Sequence, residues 1–231
     1  MNILAIIPAR EGSKGIPKKN IKKLVNKPLI AYTISEAKKS KFLSKIIVST
    51  DSKKIEKIAK KLGSETMIRP KKLAQDNSST LHVIQHVIKN LKSLDNFDTD
   101  IVITLQPTSP LRTAADIDSA IKLFLKSKCD SVIGMTEVTH PPEFMYRIIN
   151  KKIKPLIKTK IKSKRRQDMP KTYQINGAIY ICNRNLIMKK HTMFGKNIVP
   201  YLMPSERSID IDTMFDFDLA KTILKNKLYS K

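Results

Sequence analysis

Basic and small residues are concentrated directly after the first apolar run of the chain. In the segment PAREGSKGIPKKN at 8–20, Arg10, Lys14 and Lys19 supply positive charge and Ser13 supplies a hydroxyl. Glycines in such a turn allow close backbone approach, and successive N–H groups can form an anion-binding nest. The spacing fits neither GxxxxGK[ST] nor GxGxxG. Two interpretations stay open, a phosphate-binding loop and a solvated basic turn.

A pair of carboxylates lies near the other end of the chain. Asp210 and Asp212 in SIDID are two residues apart, which on an extended segment places both on one face, about 7 Å apart at Cα. Carboxylate oxygens together with phosphate oxygens and waters form a suitable Mg²⁺ site. The alternative is a solvated turn, but neighbouring like charges are unfavourable without a cation. Asp216 and Asp218 fall in the next predicted helix, where acids in the first turn favour its N-terminus.

Further polar groups follow three other apolar runs. These are STD at 49–51, Arg69 with Pro70, and QPTSPLR at 106–112. In open parallel sheets, ligands bind beyond the carboxyl ends of the strands, so an active site is expected where these segments meet. Arg112 could bind an anion or could fix the turn that carries it.

The elements that must position these residues alternate between strand-like and helix-like patterns. This alternation predicts an α/β fold, a doubly wound and mostly parallel sheet with helices on both faces. Predicted strands are 2–8, 45–50, 65–70, 129–138 and 173–181, the last a returning strand, and 100–112 is a strand that runs into a turn. Predicted helices are 28–40, 52–63, 79–91, 114–127 and 213–228.

The alternation is interrupted at about 140–171, where lysine and proline break up short apolar pieces. We interpret this segment as an inserted hairpin or arm within a single domain spanning 1–231, since that length suits one domain of normal to large size. The scattered apolar residues of the arm need another surface to cover them.

The composition is strongly basic, with a formal net charge of +25. Such charge can indicate nucleic-acid binding. However, only eight of the 45 basic residues are arginine, aromatic residues make up 6%, and the lysines are spread over nearly every predicted helix. We therefore favour a solvated lysine coat that also attracts anionic small molecules.

Other features of the sequence suggest a cytoplasmic protein. No apolar stretch approaches the roughly 18 residues of a membrane span, and MNILAII is too short for a secretory signal. Cys129 and Cys182 fall in apolar runs without a CxxC pairing and are expected to be buried free thiols.

The ordered motifs resemble those of the CMP-sialic acid synthetases, also called N-acylneuraminate cytidylyltransferases. The resemblance runs from end to end, through IPAREGSKGIPKKN, VSTD, IRP, LQPTSPLR, NGAIYI and SIDID. It implies a doubly wound nucleotide-binding core of the nucleotide-diphospho-sugar transferase type. It also implies a Mg²⁺-dependent reaction in which the anomeric hydroxyl of a nine-carbon 2-keto sugar acid attacks the α-phosphate of CTP and releases pyrophosphate.

By this resemblance, the first loop contacts CTP through Arg10, Ser13, Lys14, Lys19 and Asn20. Among these, Lys14 and Lys19 are assigned to the triphosphate and Arg10 to charge on the α-phosphate. The carboxylate pair holds the metal.

The resemblance also places Arg69 and Thr80 beside the cytosine, although Arg69 could instead cap its strand and pair with an acid. Residues implied to contact the sugar acid are Gln106, Thr108, Ser109 and Arg166, and Asn176 is implied to be either a turn residue or a further sugar contact.

One departure from the family pattern concerns Gln174. Many sialic acid enzymes have an arginine two residues before the asparagine of NGAIYI, whereas this chain has Gln174. A neutral amide cannot make the charged fork that arginine makes to a carboxylate. We therefore expect a nonulosonic acid that need not be N-acetylneuraminate, such as legionaminate.

The family is typically dimeric through the arm, so a homodimer with Arg166 near the partner's site is expected. Two alternatives remain: a cytidylyltransferase for the eight-carbon 3-deoxy-manno-octulosonate, and a basic nucleic-acid-binding protein with this fold.

Overall fold

The computed structural model describes residues 1–157, 165 and 169–229. Its helices are α1 (Leu29–Lys39), α2 (Lys53–Lys61), α3 (Thr80–Asp95), α4 (Ala114–Ser127), α5 (Arg184–Met188) and α6 (Met214–Tyr229). Its strands are β1 (Ile3–Pro8), β2 (Lys23–Leu24), β3 (Lys27–Pro28), β4 (Lys45–Thr50), β5 (Glu65–Ile68), β6 (Ile101–Thr104), β7 (Ser131–Glu137), β8 (Tyr146–Ile149), β9 (Lys152–Pro155), β10 (Tyr173–Asn183) and β11 (Ile198–Leu202).

Seven of these strands form one sheet in the order β11-β7-β10-β6-β1-β4-β5. The pairs β1–β4, β1–β6, β4–β5 and β7–β11 are parallel, and β10 runs antiparallel between β6 and β7. This confirms the predicted α/β fold and the returning strand.

Strand β1 shows why the sheet is covered on both faces. Its Ile3, Ala5 and Ile7 pack into one core cluster with α1, α2 and α4, whereas Leu4 and Ile6 pack into a second cluster with α3 and α5. Successive side chains of a strand point to opposite faces. An apolar run without alternation must therefore be buried on both faces of the sheet, which is the pattern of central parallel strands.

The helix ends follow local signals in the sequence. Ser79 accepts a hydrogen bond from the backbone N–H of Leu81 at the start of α3, and Thr113 with Asp116 forms a capping box on α4. Gly63 ends the α2 segment with φ +73°, a conformation that glycine adopts readily. Among the described helices, none combines the length and apolarity needed to cross a bilayer.

The two cysteines are buried free thiols, as predicted. Burial raises the pKa of Cys182 to about 12.

A third apolar cluster joins the C-terminal helix to the N-terminal loop. Ile16 of the loop, Ile211 of SIDID and Phe217 of α6 belong to this cluster. The first loop and the carboxylate segment are thereby held against each other, although they lie at opposite ends of the chain.

The described part of the predicted arm contains an antiparallel hairpin, β8–β9. Ile148 pairs with Ile153, and Tyr146 pairs with Pro155, so one face of the hairpin is apolar. Ile148 is 79% exposed and Ile153 is 69% exposed. Residues 158–164 and 166–168 lie outside the described residues, and with them the candidate Arg166.

Candidate functional site

A cavity of about 430 Å³ opens beyond the carboxyl ends of β1, β5 and β6. The size is within the usual range for small-molecule sites. Eleven of the candidate residues line it: Arg10, Ser13, Lys14, Lys19, Asn20, Arg69, Thr80, Gln106, Thr108, Asp210 and Asp212. The polar segments that follow the strands thus meet around one cavity.

The first loop carries two cations on one wall of this cavity. Arg10 Nη1 lies 2.6 Å from Asp76 Oδ1, and Lys14 Nζ lies 3.4 Å from Asp76 Oδ2. The buried Asn20 donates its side-chain N–H to the carbonyl oxygen of Arg10 at 2.8 Å. In this structure Asn20 therefore stabilises the backbone of the loop at Arg10.

Lys19 connects this loop to the carboxylate segment. Its Nζ donates to the carbonyl oxygen of Ile211 at 2.5 Å and to Asp212 Oδ1 at 2.9 Å. The two backbones pass so closely that a Cβ at Gly15 would clash with the carbonyl oxygen of Asp212. Lys19 therefore holds the turn as well as contributing charge to the cavity.

Side chains of the carboxylate segment alternate between the core and the cavity, as the sequence predicted. Ile211 is buried in the third cluster, and Asp210 and Asp212 on either side of it line the cavity. Burial of Asp210 raises its carboxyl pKa and the nearby charge of Asp212 adds to the effect, while a hydrogen bond from Thr108 opposes it. Asp210 Oδ1 is buried without a hydrogen-bond partner among the described residues.

Gly177 allows Asp210 and Gln106 to approach the same point. Its φ is +72°, and a Cβ there would lie 3.0 Å from both Asp210 Oδ2 and Gln106 Oε1. The irregular register of β10 between Ile175 and Tyr180 places this glycine beneath the carboxylate.

Arg69 forms another wall of the cavity. It is 5% exposed, its Nη2 lies 4.0 Å from Asp51 Oδ1, and its Nε has no hydrogen-bond partner among the described residues. Burial lowers the pKa of Arg69, and the charge of Asp51 opposes this shift. The long distance to Asp51 leaves the guanidinium with donors for a ligand.

The sequence left two roles open for Arg112, binding an anion or fixing its turn, and the structure supports the second. It is 2% exposed and donates to the carbonyl oxygens of Gln106 and Ala178 and to Thr33 Oγ1. Burial lowers its pKa to about 10, so the guanidinium remains charged at neutral pH. Arg112 thus fixes the turn that carries Gln106 and Thr108.

A second cavity of about 340 Å³ shares Thr80 and Gln106 with the first. Its walls mix hydroxyl, aromatic and other side chains: Ser79, Leu81, Thr104, Tyr180, His191, Thr192, Met193 and Phe194. Tyr180 and Phe194 pack edge to face, with ring centroids 6.2 Å apart. The shared walls make the two cavities neighbours in one site.

Three candidate residues line neither of these two cavities. Ser109 is fully buried behind the turn, and Gln174 is exposed on β10 opposite Thr136. Asn176 is buried; its amide N–H donates to Ser208 Oγ at 3.0 Å and its Oδ1 accepts from the backbone N–H of Ala178. In this structure Asn176 fixes the irregular part of β10.

Asp76 and the aromatic residues of the second cavity were not predicted from the sequence. Asp76 lies in the short loop between Arg69, just after the end of β5, and Ser79, the N-cap of α3. That position near a strand end could have marked it as a candidate site residue. Phe194 is in an irregular segment after α5 and gave no local signal.

The carboxylate pair fits a Mg²⁺ ion that is shared with phosphates. Within the described residues, no group of three or more His, Cys, Asp or Glu side chains could hold a metal alone. Mg²⁺ usually keeps several waters and uses one or two carboxylates plus substrate phosphates. The unpartnered Oδ1 of Asp210 and the exposed carboxylate of Asp212 are suitable ligands.

A basic, glycine-containing loop and a carboxylate pair beyond the strands of a doubly wound sheet define a nucleotide-binding α/β protein of the nucleotidyltransferase class. The chain belongs to the cytidylyltransferase family, whose model matches residues 4–231.

Three similar proteins illustrate this family and its fold. An N-acylneuraminate cytidylyltransferase of Escherichia coli is 35% identical over 97% of this chain, which spans only 52% of that relative. A CMP-N,N'-diacetyllegionaminic acid synthase of Legionella pneumophila is 34% identical over 97% of both chains. A solved CMP:2-keto-3-deoxy-manno-octonic acid synthetase complexed with CTP has a TM-score of 0.74 at 16% identity, covering 98% of this chain and all of that one. At that identity the last likeness shows the fold alone.

Proposed function

We propose that the protein transfers CMP from CTP to the anomeric hydroxyl of a nine-carbon 2-keto sugar acid. The oxygen of that hydroxyl bonds to the α-phosphorus, the bond to the β-phosphate breaks, and pyrophosphate leaves with the electron pair. The proton of the hydroxyl is released. The observation that carries the proposal is the pair of adjoining cavities, one with cations and carboxylates and the other with hydroxyl and aromatic side chains.

In this proposal the first cavity holds CTP. Arg10 and Lys14 bind the phosphates, because negative charge develops there during transfer and preorganised donors stabilise it. Arg69 and Thr80 lie on the wall that would face the base. A guanidinium donor with a small hydroxyl suits the O2 acceptor of cytosine.

Asp210 and Asp212 would hold Mg²⁺ in this site. When bound, the ion would offset charge on the phosphates and orient them for displacement. In the structure Lys19 neutralises part of the charge of Asp212. Lys19 thus keeps the second carboxylate close to the phosphate loop.

The second cavity would hold the sugar acid. Its hydroxyl side chains suit a polyhydroxylated substrate, and Leu81, Met193 and Phe194 suit the methyl groups of acylamido substituents. Gln106 and Thr80 line both cavities and would bring the anomeric carbon next to the α-phosphate. The 34% identity to the legionaminic acid synthase supports a nine-carbon substrate over an eight-carbon one.

We also propose that the protein is a homodimer. The apolar face of the β8–β9 hairpin is exposed in the single chain, and a second copy would cover it.

Pyrophosphate release tests the catalytic proposal directly. We expect release only when CTP, Mg²⁺ and a nine-carbon acid such as N-acetylneuraminate or N,N'-diacetyllegionaminate are all present. Efficient use of 3-deoxy-manno-octulosonate in place of both nine-carbon acids would contradict the substrate assignment. Equal rates with UTP or ATP would contradict the base-binding role of Arg69 and Thr80.

A further inference from the structure

Asp76 occupies the position in the first cavity where a phosphate would be expected. Both of its carboxylate oxygens face cations, Oδ1 at 2.6 Å from Arg10 Nη1 and Oδ2 at 3.4 Å from Lys14 Nζ. All three residues line the cavity. Like an inner phosphate of a triphosphate, a carboxylate carries one negative charge on two acceptor oxygens, and such groups form charge-assisted hydrogen bonds with cations.

The charge of Asp76 would oppose a triphosphate at the same place. Hydrogen bonding from Arg10 is the largest cause that lowers the pKa of Asp76, and Lys14 adds to it. The carboxylate is therefore ionised at neutral pH. Like charges at short distance disfavour each other, so a triphosphate bound to the same cations would disfavour the present position of Asp76.

The surroundings of Asp76 allow it to be displaced. It lies in an exposed loop between β5 and α3, and its side chain is 52% exposed. Lys14 is 75% exposed. A rotation of the Asp76 side chain into solvent would free both cations without disturbing the core.

We propose that Asp76 is an internal substitute for phosphate, which pairs with Arg10 and Lys14 in the free protein and is displaced by the phosphates of CTP. This inference rests on the proposed function, because it takes the first cavity to be the CTP site. By competing for Arg10 and Lys14, the Asp76 carboxylate lowers the affinity of the protein for every ligand that binds these cations. Pyrophosphate is one such ligand, so Asp76 also favours release of the product.

Calorimetric titration of the full chain with CTP, inorganic pyrophosphate and cytidine, with Mg²⁺ at fixed ionic strength, tests this inference. We expect Asp76→Asn to bind CTP and pyrophosphate about two- to fivefold more tightly, the range set by an exposed ion pair. Cytidine has no phosphate, so its affinity should not change. Asp76→Glu retains the carboxylate and should bind all three ligands like the wild type.

Asp98→Asn is the matched control. Asp98 Oδ2 forms an equally short exposed pair with Lys92 Nζ at 2.6 Å, and it does not line the cavity. This variant makes the same change in net charge, so unchanged binding of all three ligands would exclude a long-range charge effect.

Weaker or unchanged binding of CTP by Asp76→Asn would overturn the inference, and weaker binding would instead make Asp76 a positioning residue for Arg10. Equal tightening of cytidine and CTP would also overturn it. A wild-type protein that binds no CTP would overturn the proposed function. Binding of CTP by the wild type with no gain in the variant would overturn this inference alone.

Discussion

At the scale of single residues, Asp210 is held in an unfavourable environment in the free protein. Its Oδ1 is buried without a partner among the described residues, and Asp212 is a nearby like charge. A raised carboxyl pKa means that burial penalises the charged form. Perturbed pKa values of this kind are common at functional sites. A bound metal ion there would stabilise the charged carboxylate.

Asp210→Asn should therefore separate stability from activity. We expect a melting temperature at or above that of the wild type, because the amide removes a poorly compensated buried charge. We expect kcat to fall about 100-fold or more, since charge stabilisation by a metal is worth several kcal/mol. Thermal melting and pyrophosphate release measure the two effects.

Asp212→Asn is the comparison for this variant. Asp212 is 75% exposed and pairs with Lys19, so its loss should lower activity without the gain in stability. Full Mg²⁺-dependent activity in both variants would contradict the proposed metal site.

Sequence reasoning found the residues that follow buried strands and missed those whose position depends on distant packing. Arg10, Arg69 and Gln106 lie within two residues of the ends of β1, β5 and β6, so sheet topology alone brings them together. Gln174 has no such constraint. It is exposed on β10 outside both cavities, so the structure offers no direct contact for its expected effect on sugar choice, which stays a prediction.

At the scale of elements, two loops from opposite ends of the chain pack with almost no clearance. The first loop contributes Gly15, and the carboxylate segment contributes the backbone of Asp212. Lys19 bonds the same two loops together. Their separation determines how far the cations lie from the carboxylates.

Gly15→Ala should disrupt this spacing. The added methyl group would push the carboxylate segment away, and overpacking of this kind costs about 1–3 kcal/mol. A displacement of about 1 Å in a catalytic group can cost about 100-fold in rate. We therefore expect a large loss of kcat, measured by pyrophosphate release.

Gly12→Ala is the control from the same loop. A Cβ at Gly12 would meet no atom of the described residues within 4 Å, so this variant should keep activity close to that of the wild type. Similar losses in the two variants would show that the loop is sensitive to any added side chain, and the close packing would not be the cause.

The elements themselves were predictable where burial was complete. Strand β1 is an unbroken apolar run because both of its faces are covered, and α3 and α4 carry their own caps. Strand β11 was missed for a physical reason. It contains Pro200 and lies at the edge of the described sheet, next to β7, and edge strands of this type lack the apolar continuity of central ones.

At the scale of the whole molecule, a large positive charge accompanies an exposed apolar hairpin. Ile148 and Ile153 share one face of β8–β9, whereas Ile149 is on the other face with Lys152. Two copies of a chain with net charge +25 repel each other at low salt. Burial of the apolar faces must overcome that repulsion if the homodimer forms.

Ile148→Asp should weaken the proposed dimer. A carboxylate in an apolar contact costs more than about 1.4 kcal/mol, which corresponds to a tenfold or greater rise in the dissociation constant. Light scattering across a concentration series at constant salt would show the change in mass.

Ile149→Asp makes the same chemical change at the adjacent residue on the opposite face. It should leave the mass unchanged. A monomeric wild type at micromolar concentration would contradict the homodimer, and equal effects of the two variants would contradict the assigned face.

The bond between Lys19 and Asp212 also has a consequence for the order of synthesis. It joins residues 193 positions apart. At about 5–20 residues per second, a ribosome needs roughly 10–40 s to add the missing partner. During that interval the nascent chain has Lys19 in its first loop without Asp212, the carboxylate that later pairs with it. The site therefore becomes complete only after the carboxylate segment has been synthesised.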